Sequence, residues 1–116
     1  MNIEIARIYE NKKASKNTRI LVDRLWPRGI SKENAHLDHW YKDWAPSDEL
    51  RKDFHQERIS WEEFKENYKN ELIDKKEQIQ DDLRSLDKRK SLVLLYGSKN
   101  ETQNHAVLLK DFLENL

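Results

Sequence analysis

Two short apolar runs, Ile20-Leu21-Val22 and Leu92-Val93-Leu94-Leu95-Tyr96, constrain this chain more than any other feature. A strand with one wet face alternates apolar and polar residues, whereas a strand covered on both faces is apolar throughout, and such strands belong to parallel sheets. Each run stops abruptly. The first gives way to Asp23-Arg24-Leu25-Trp26-Pro27-Arg28-Gly29 and the second to Gly97-Ser98-Lys99-Asn100. A crossover between parallel strands is right-handed, so both exits are expected on one edge of the sheet. That edge is where open α/β sheets bind ligands.

The rest of the chain reads as cover for those strands. Residues 2–9 suit an outer strand, with Ile3 and Ile5 on one face, and residues 10–17 form a solvated connection. Between Ser31 and Ala45, the spacing of Ala35, Leu37, Trp40, Tyr41 and Trp44 predicts one or two short helices. Pro46 ends that section, and Ser47 caps a new helix with Asp48 and Glu49 in its first turn and Leu50 and Phe54 as anchors. Ser60-Trp61-Glu62-Glu63 is a capping box. From it Trp61, Phe64, Tyr68, Leu72, Ile79, Leu83 and Leu86 recur at spacings of 3, 4, 4, 7, 4 and 3, which predicts one long helix of about seven turns. The stripe is core packing or, because residues 74–78 lack apolar anchors, a partly exposed dimer seam. A last helix is expected from about Asn104 to Leu116, with Leu108, Leu109, Phe112, Leu113 and Leu116 facing inward.

The expected architecture is a single α/β domain over residues 1–116, Rossmann-like, with a small parallel or mostly parallel sheet of three to four strands flanked by helices. Lys plus Arg number 22 and Asp plus Glu number 22, so the net charge is zero. That balance argues against general nucleic-acid binding, which needs an excess of positive charge on one face. Cysteine is absent, which removes disulfides, thiolate nucleophiles and sulfur-ligated metals. No stretch has the length and apolarity of a signal peptide or a membrane span, so the expected address is the cytoplasm.

The chemistry gathers at the strand exits. Arg24 and Arg28 suit direct contact with a phosphate or carboxylate, because the planar guanidinium bonds two oxygens at once. One of them could instead pair with Asp23 or a helix carboxylate as scaffolding. Trp26 either stacks on a planar ligand or belongs to the core. From the second exit come Tyr96, Ser98 and Lys99, with Ser98 and Lys99 read most simply as turn residues. Asn104 reads as the cap of the last helix, whose free amides favour an anion nearby. His105 either moves a proton, as Asp23 could, or bonds a backbone group at the helix start. His36-x-Asp38-His39 has a two-histidine spacing on a helix but no third ligand, so no metal is expected. Neither a glycine-rich phosphate loop nor a dinucleotide fingerprint is present, and no cofactor is expected.

Three functions follow. The first is a pocket for a small anionic ligand, with or without catalysis. The second is a noncatalytic interaction module, monomer or homodimer, acting through the helix over residues 60–86. The third and weakest is local nucleic-acid binding through Arg24, Arg28 and Lys32.

The run Asp23 to Gly29, followed by Ala45-Pro46-Ser47 with Leu50-Arg51 and Phe54, then Trp61-Glu62-Glu63-Phe64, Leu94-Leu95-Tyr96 and Asn104-His105-Ala106, resembles the YeaO-like branch of the bacterial domain-of-unknown-function 488 family. The resemblance covers nearly the whole chain, implies a small α/β domain, and brings no reaction with it. Residues 98–103 depart most from the family pattern.

Overall fold

The middle of the sheet is β4 (Leu92–Tyr96), all five residues of which are buried. In the computed structural model, which describes residues 2–116, β4 lies between β1 (Ile3–Arg7) and β2 (Thr18–Leu21), and β3 (His39–Trp40) closes the far edge. Every pairing is parallel, with Ile3 opposite Leu92, Ile20 opposite Leu94, and Ile20 opposite His39. The apolar runs therefore do what their composition requires. Ile20, Val22, Leu92, Leu94 and Tyr96 face one cluster, whereas Leu21, Val93 and Leu95 face another on the opposite side.

Helices cover the first face. They are α2 (Asp48–His55), α3 (Trp61–Asp74), α4 (Lys76–Arg84) and α5 (His105–Glu114). Phe64, Tyr68 and Leu72 of α3 pack with Ile79 of α4 and with Ala106, Leu109 and Leu113 of α5. Truncating a side chain as buried as Phe64, 3% exposed, should cost about 3–5 kcal/mol. The second face has thinner cover: Ile8, Ile30, the four-residue helix α1 (Lys32–Ala35), and Trp26, which meets Trp40 edge to face at 5.2 Å.

The helix caps form as the sequence directs. Ser47 accepts from the Leu50 amide, Ser60 and Glu63 complete a reciprocal capping box, and Asn104 accepts from the Val107 amide. Each cap is worth about 1 kcal/mol.

Three expectations are corrected. The stripe from Trp61 to Leu86 is not on one helix. The chain breaks at Lys75 (φ −102°, ψ 10°), where the missing apolar anchors leave nothing to hold a continuing turn on the core. Lys75 Nζ instead donates to the Asp43 carbonyl at 2.9 Å, and α4 is re-aimed so that Ile79 and Leu86 are buried. The stripe thus faces inward across the break. Second, Ser31 to Ala45 is mostly not helical: α1 ends at His36, whose left-handed conformation (φ 50°) turns the chain into β3. His39-Trp40 then covers the free edge of β2, and a single 3-10 turn (Lys42–Trp44) follows. His36 and His39 consequently share no helix face. Third, Leu116 lies beyond the end of α5 and is 39% exposed.

Candidate functional site

Because β2 and β4 are parallel neighbours, their exits emerge side by side, and one hydrogen bond joins them: the Gly97 amide donates to Asp23 Oδ2 at 2.8 Å. A side chain at residue 97 would crowd this bond, since a Cβ there would stand 3.0 Å from that same oxygen. The start of α5 meets both exits. His105 Nε2 lies 2.9 Å from the Val22 carbonyl and 3.1 Å from Asp23 Oδ1. A carbonyl only accepts, so Nε2 carries a hydrogen and directs it at Val22. Asp23 Oδ1 has the imidazole beside it but, among the described residues, no hydrogen bond of its own.

The loop after β2 is held by its own polar groups. Trp40 Nε1 donates to the Asp23 carbonyl at 2.7 Å, and Trp26 Nε1 to the Ile30 carbonyl at 2.6 Å. Tyr9 donates its hydroxyl hydrogen to the Arg28 carbonyl at 3.0 Å. Gly29 (φ 80°) takes a backbone conformation that L side chains rarely adopt. Arg24 reaches away from Asp23: its Nε donates to the Pro46 carbonyl at 2.8 Å and a terminal nitrogen to the Ala45 carbonyl at 3.4 Å. That spends two of its five donors on fixing the turn before α2. Arg28 is exposed, and among the described residues its guanidinium has no hydrogen bond or ion pair.

These elements enclose a cleft of about 710 Å³, the larger of two notable concavities. The β2 exit supplies Asp23 through Arg28, the β4 exit supplies Gly97 and Ser98, and the α5 start supplies Gln103, Asn104 and His105. Below the floor Tyr68 is fully buried, its hydroxyl bonded to the Trp44 carbonyl and its ring edge-on to His105 at 6.3 Å. Burial pushes the Tyr68 phenol well above the ordinary tyrosine range; the Glu71 and Asp23 carboxylates add to this and Arg24 opposes it.

Of the residues singled out from sequence, Asp23, Arg24, Trp26, Arg28, Ser98, Asn104 and His105 all line this cleft. Tyr96 and Lys99 do not. Tyr96 points into the helix-covered core, where burial first and Glu101 second raise its phenol pKa, and Lys99 is in an exposed turn. Asn104 is both cap and staple, its amide nitrogen donating to the Asn100 carbonyl at 2.8 Å. The metal-like trio disperses: His36 Nδ1 approaches the Lys12 carbonyl at 2.6 Å, Asp38 accepts the Arg19 amide at 2.8 Å, and His39 stacks on Tyr41 at 5.0 Å.

Sequence reasoning missed Arg51 and His55, which face the cleft from α2 with Phe54 between them. Spacings of three and four put these side chains on one helix face, which was a usable signal. Arg51 donates to Asp48 at 3.2 Å, while its Nε is covered and without a partner among the described residues.

Comparison with known proteins settles kinship. A profile described as the inactive DUF488-N3 subclade matches residues 2–116. The chain belongs to that DUF488 subclade. It is similar to a protein of Escherichia coli strain K12 named Uncharacterized protein YeaO, with 48% identity over 116 residues and full coverage of both chains. It is also similar to Uncharacterized protein Mb3100c of Mycobacterium bovis, at 34% identity over 111 residues, 96% of this chain and 92% of the relative. A Mycobacterium tuberculosis protein, Uncharacterized protein Rv3073c, aligns equally well. No solved structure matches this DUF488 chain. Among the described residues no helix is long and apolar enough to cross a membrane.

Proposed function

We propose that this DUF488 protein is a noncatalytic receptor for a small oxyanion, phosphate or carboxylate, held in the cleft at the strand exits. The observation that carries this is the convergence of Arg24, Arg28 and Arg51 on one cleft with the opening turn of α5. Of the three, Arg51 is paired with Asp48 and Arg24 is spent on backbone carbonyls, while the Arg28 guanidinium has no partner among the described residues. Asp23 is the inner carboxylate and is already engaged by Gly97. Arginine forks and helix amides are the groups that recognise an oxyanion best.

Binding is favoured over turnover by one further point. The subclade to which the chain belongs is described as inactive. Asp23 and His105 then act as positioning groups that tie β2, β4 and α5 together, rather than as proton carriers.

Thermal denaturation across a panel of phosphates and organic acids tests this. A cognate anion at a hundredfold excess over its Kd should stabilise the fold by about 2.7 kcal/mol, be recovered unchanged, and stabilise an Arg28→Gln, Arg51→Gln variant far less. No response to any anion, or an equal response in the variant, rules the receptor out.

A further inference from the structure

An inorganic ion would leave most of this cleft empty. Its volume of about 710 Å³ is in the range of sites that hold drug-sized molecules, roughly 300–1,000 Å³. The cleft is also two-sided in character. Phe54, Ile59 and Phe64 form an apolar wall in which the rings of Phe54 and Phe64 stack at 4.6 Å and 30°. The β2 exit adds Leu25 to the lining, at 56% the most exposed large apolar side chain among the described residues. A lone exposed leucine needs no explanation, but one that lines the same cleft as an apolar wall gains when a ligand removes it from water. Arg51 stands one helical turn from Phe54 on α2, so its guanidinium adjoins the apolar wall.

Resting on the receptor reading above, we propose that the ligand is an organic anion with a planar apolar body, an aromatic phosphate or an aromatic carboxylate. The oxyanion sits among Arg51, Arg28 and the start of α5. The ring lies between Leu25 and the Phe54-Ile59 wall. Leu25 and Ile59 thereby set which anions are retained, and the arginines set that an anion is retained at all.

Calorimetric titration of the full chain with phenyl phosphate, benzoate, inorganic phosphate and neutral benzyl alcohol tests this. The better of phenyl phosphate and benzoate should bind at least about tenfold tighter than inorganic phosphate, as burial of one ring against apolar side chains requires. Which of the two wins identifies the head group. Leu25→Ser alters an exposed side chain and should shrink that advantage several-fold without changing the Kd for phosphate. Arg51→Gln should weaken both aromatic anions. Phosphate binding as tight as that of the aromatic anions would overturn the aromatic body and leave the oxyanion receptor standing. Benzyl alcohol binding as tight as the anions would overturn the receptor reading, and this inference with it, as would a failure of all four to bind.

Discussion

The carboxylate of Asp23 accepts the amide hydrogen of Gly97 at 2.8 Å across a sequence separation of 74 residues. One bond thus locks the exits of the two inner strands together and fixes the rim of the cleft. The Cβ of an alanine at 97 would stand 3.0 Å from the same oxygen. Gly97→Ala should therefore displace Asp23 and cost about 1–2 kcal/mol in urea denaturation. In an Asp23→Ala background the same change should cost much less, because the group it disturbs is gone. Equal costs in both backgrounds would mean that the two residues are not coupled.

The wall that carries Arg51 depends on a second clamp. Glu71 of α3 accepts from the Ser47 amide at 2.8 Å and from its hydroxyl at 2.6 Å, which docks the start of α2 on α3. Glu71→Gln replaces one accepting oxygen with a donor and should destabilise by about 1–2 kcal/mol. Hydrogen exchange should rise first in α2, and a uniform rise over all helices would contradict this arrangement.

On the thinner face of the sheet, Arg19 is only 4% exposed and donates to the carbonyls of Asn11, Ala35 and His36. Burial lowers its pKa and Asp38 opposes that. Arg19→Met keeps the bulk but strands three carbonyls, so a loss of about 2–4 kcal/mol is expected in the denaturation midpoint. A loss under about 1 kcal/mol would show that water replaces the guanidinium readily.

Three tyrosines make the fold sensitive to alkali. Burial is the main cause that raises the phenol pKa of Tyr41, Tyr68 and Tyr96, most strongly for Tyr68. Their folded values lie above their unfolded ones, so this contribution is fully present below about pH 10, the unfolded value. It is lost as pH rises beyond that, because the unfolded chain releases protons that the folded chain retains. Urea midpoints should fall from about pH 10 upward, and phenolate absorbance should lag behind that of the unfolded chain. Coincident titration of the folded and unfolded chains would contradict the burial of these rings.

The strands and caps were legible in the sequence because they rest on local chemistry. Leu92 to Tyr96 is apolar at every position and is buried at every position, and Ser60 with Glu63 closes its box from two side chains alone. The exits were legible for the same reason, since a parallel pair must place Asp23 beside Gly97. What stayed hidden depends on partners distant in sequence. The break at Lys75 is set by the Asp43 carbonyl and by a gap in the stripe that periodicity spans without strain. The strand at His39-Trp40 exists because β2 needed an edge partner, and its aromatic spacing passes for a helix. Arg51 was overlooked because its helical spacing to Phe54 and His55 marks a shared face but does not say that α2 turns this face toward a cleft built from residues 23–28 and 97–105.

The most direct measurement is a titration of the isotopically labelled protein with phenyl phosphate, followed through backbone amide shifts. Saturable shifts confined to residues 24–29, 51–59 and 97–105 are expected, absent in the Arg28→Gln, Arg51→Gln variant. Shifts scattered over the surface, or centred on β3 and α4, would contradict an anion receptor at the strand exits.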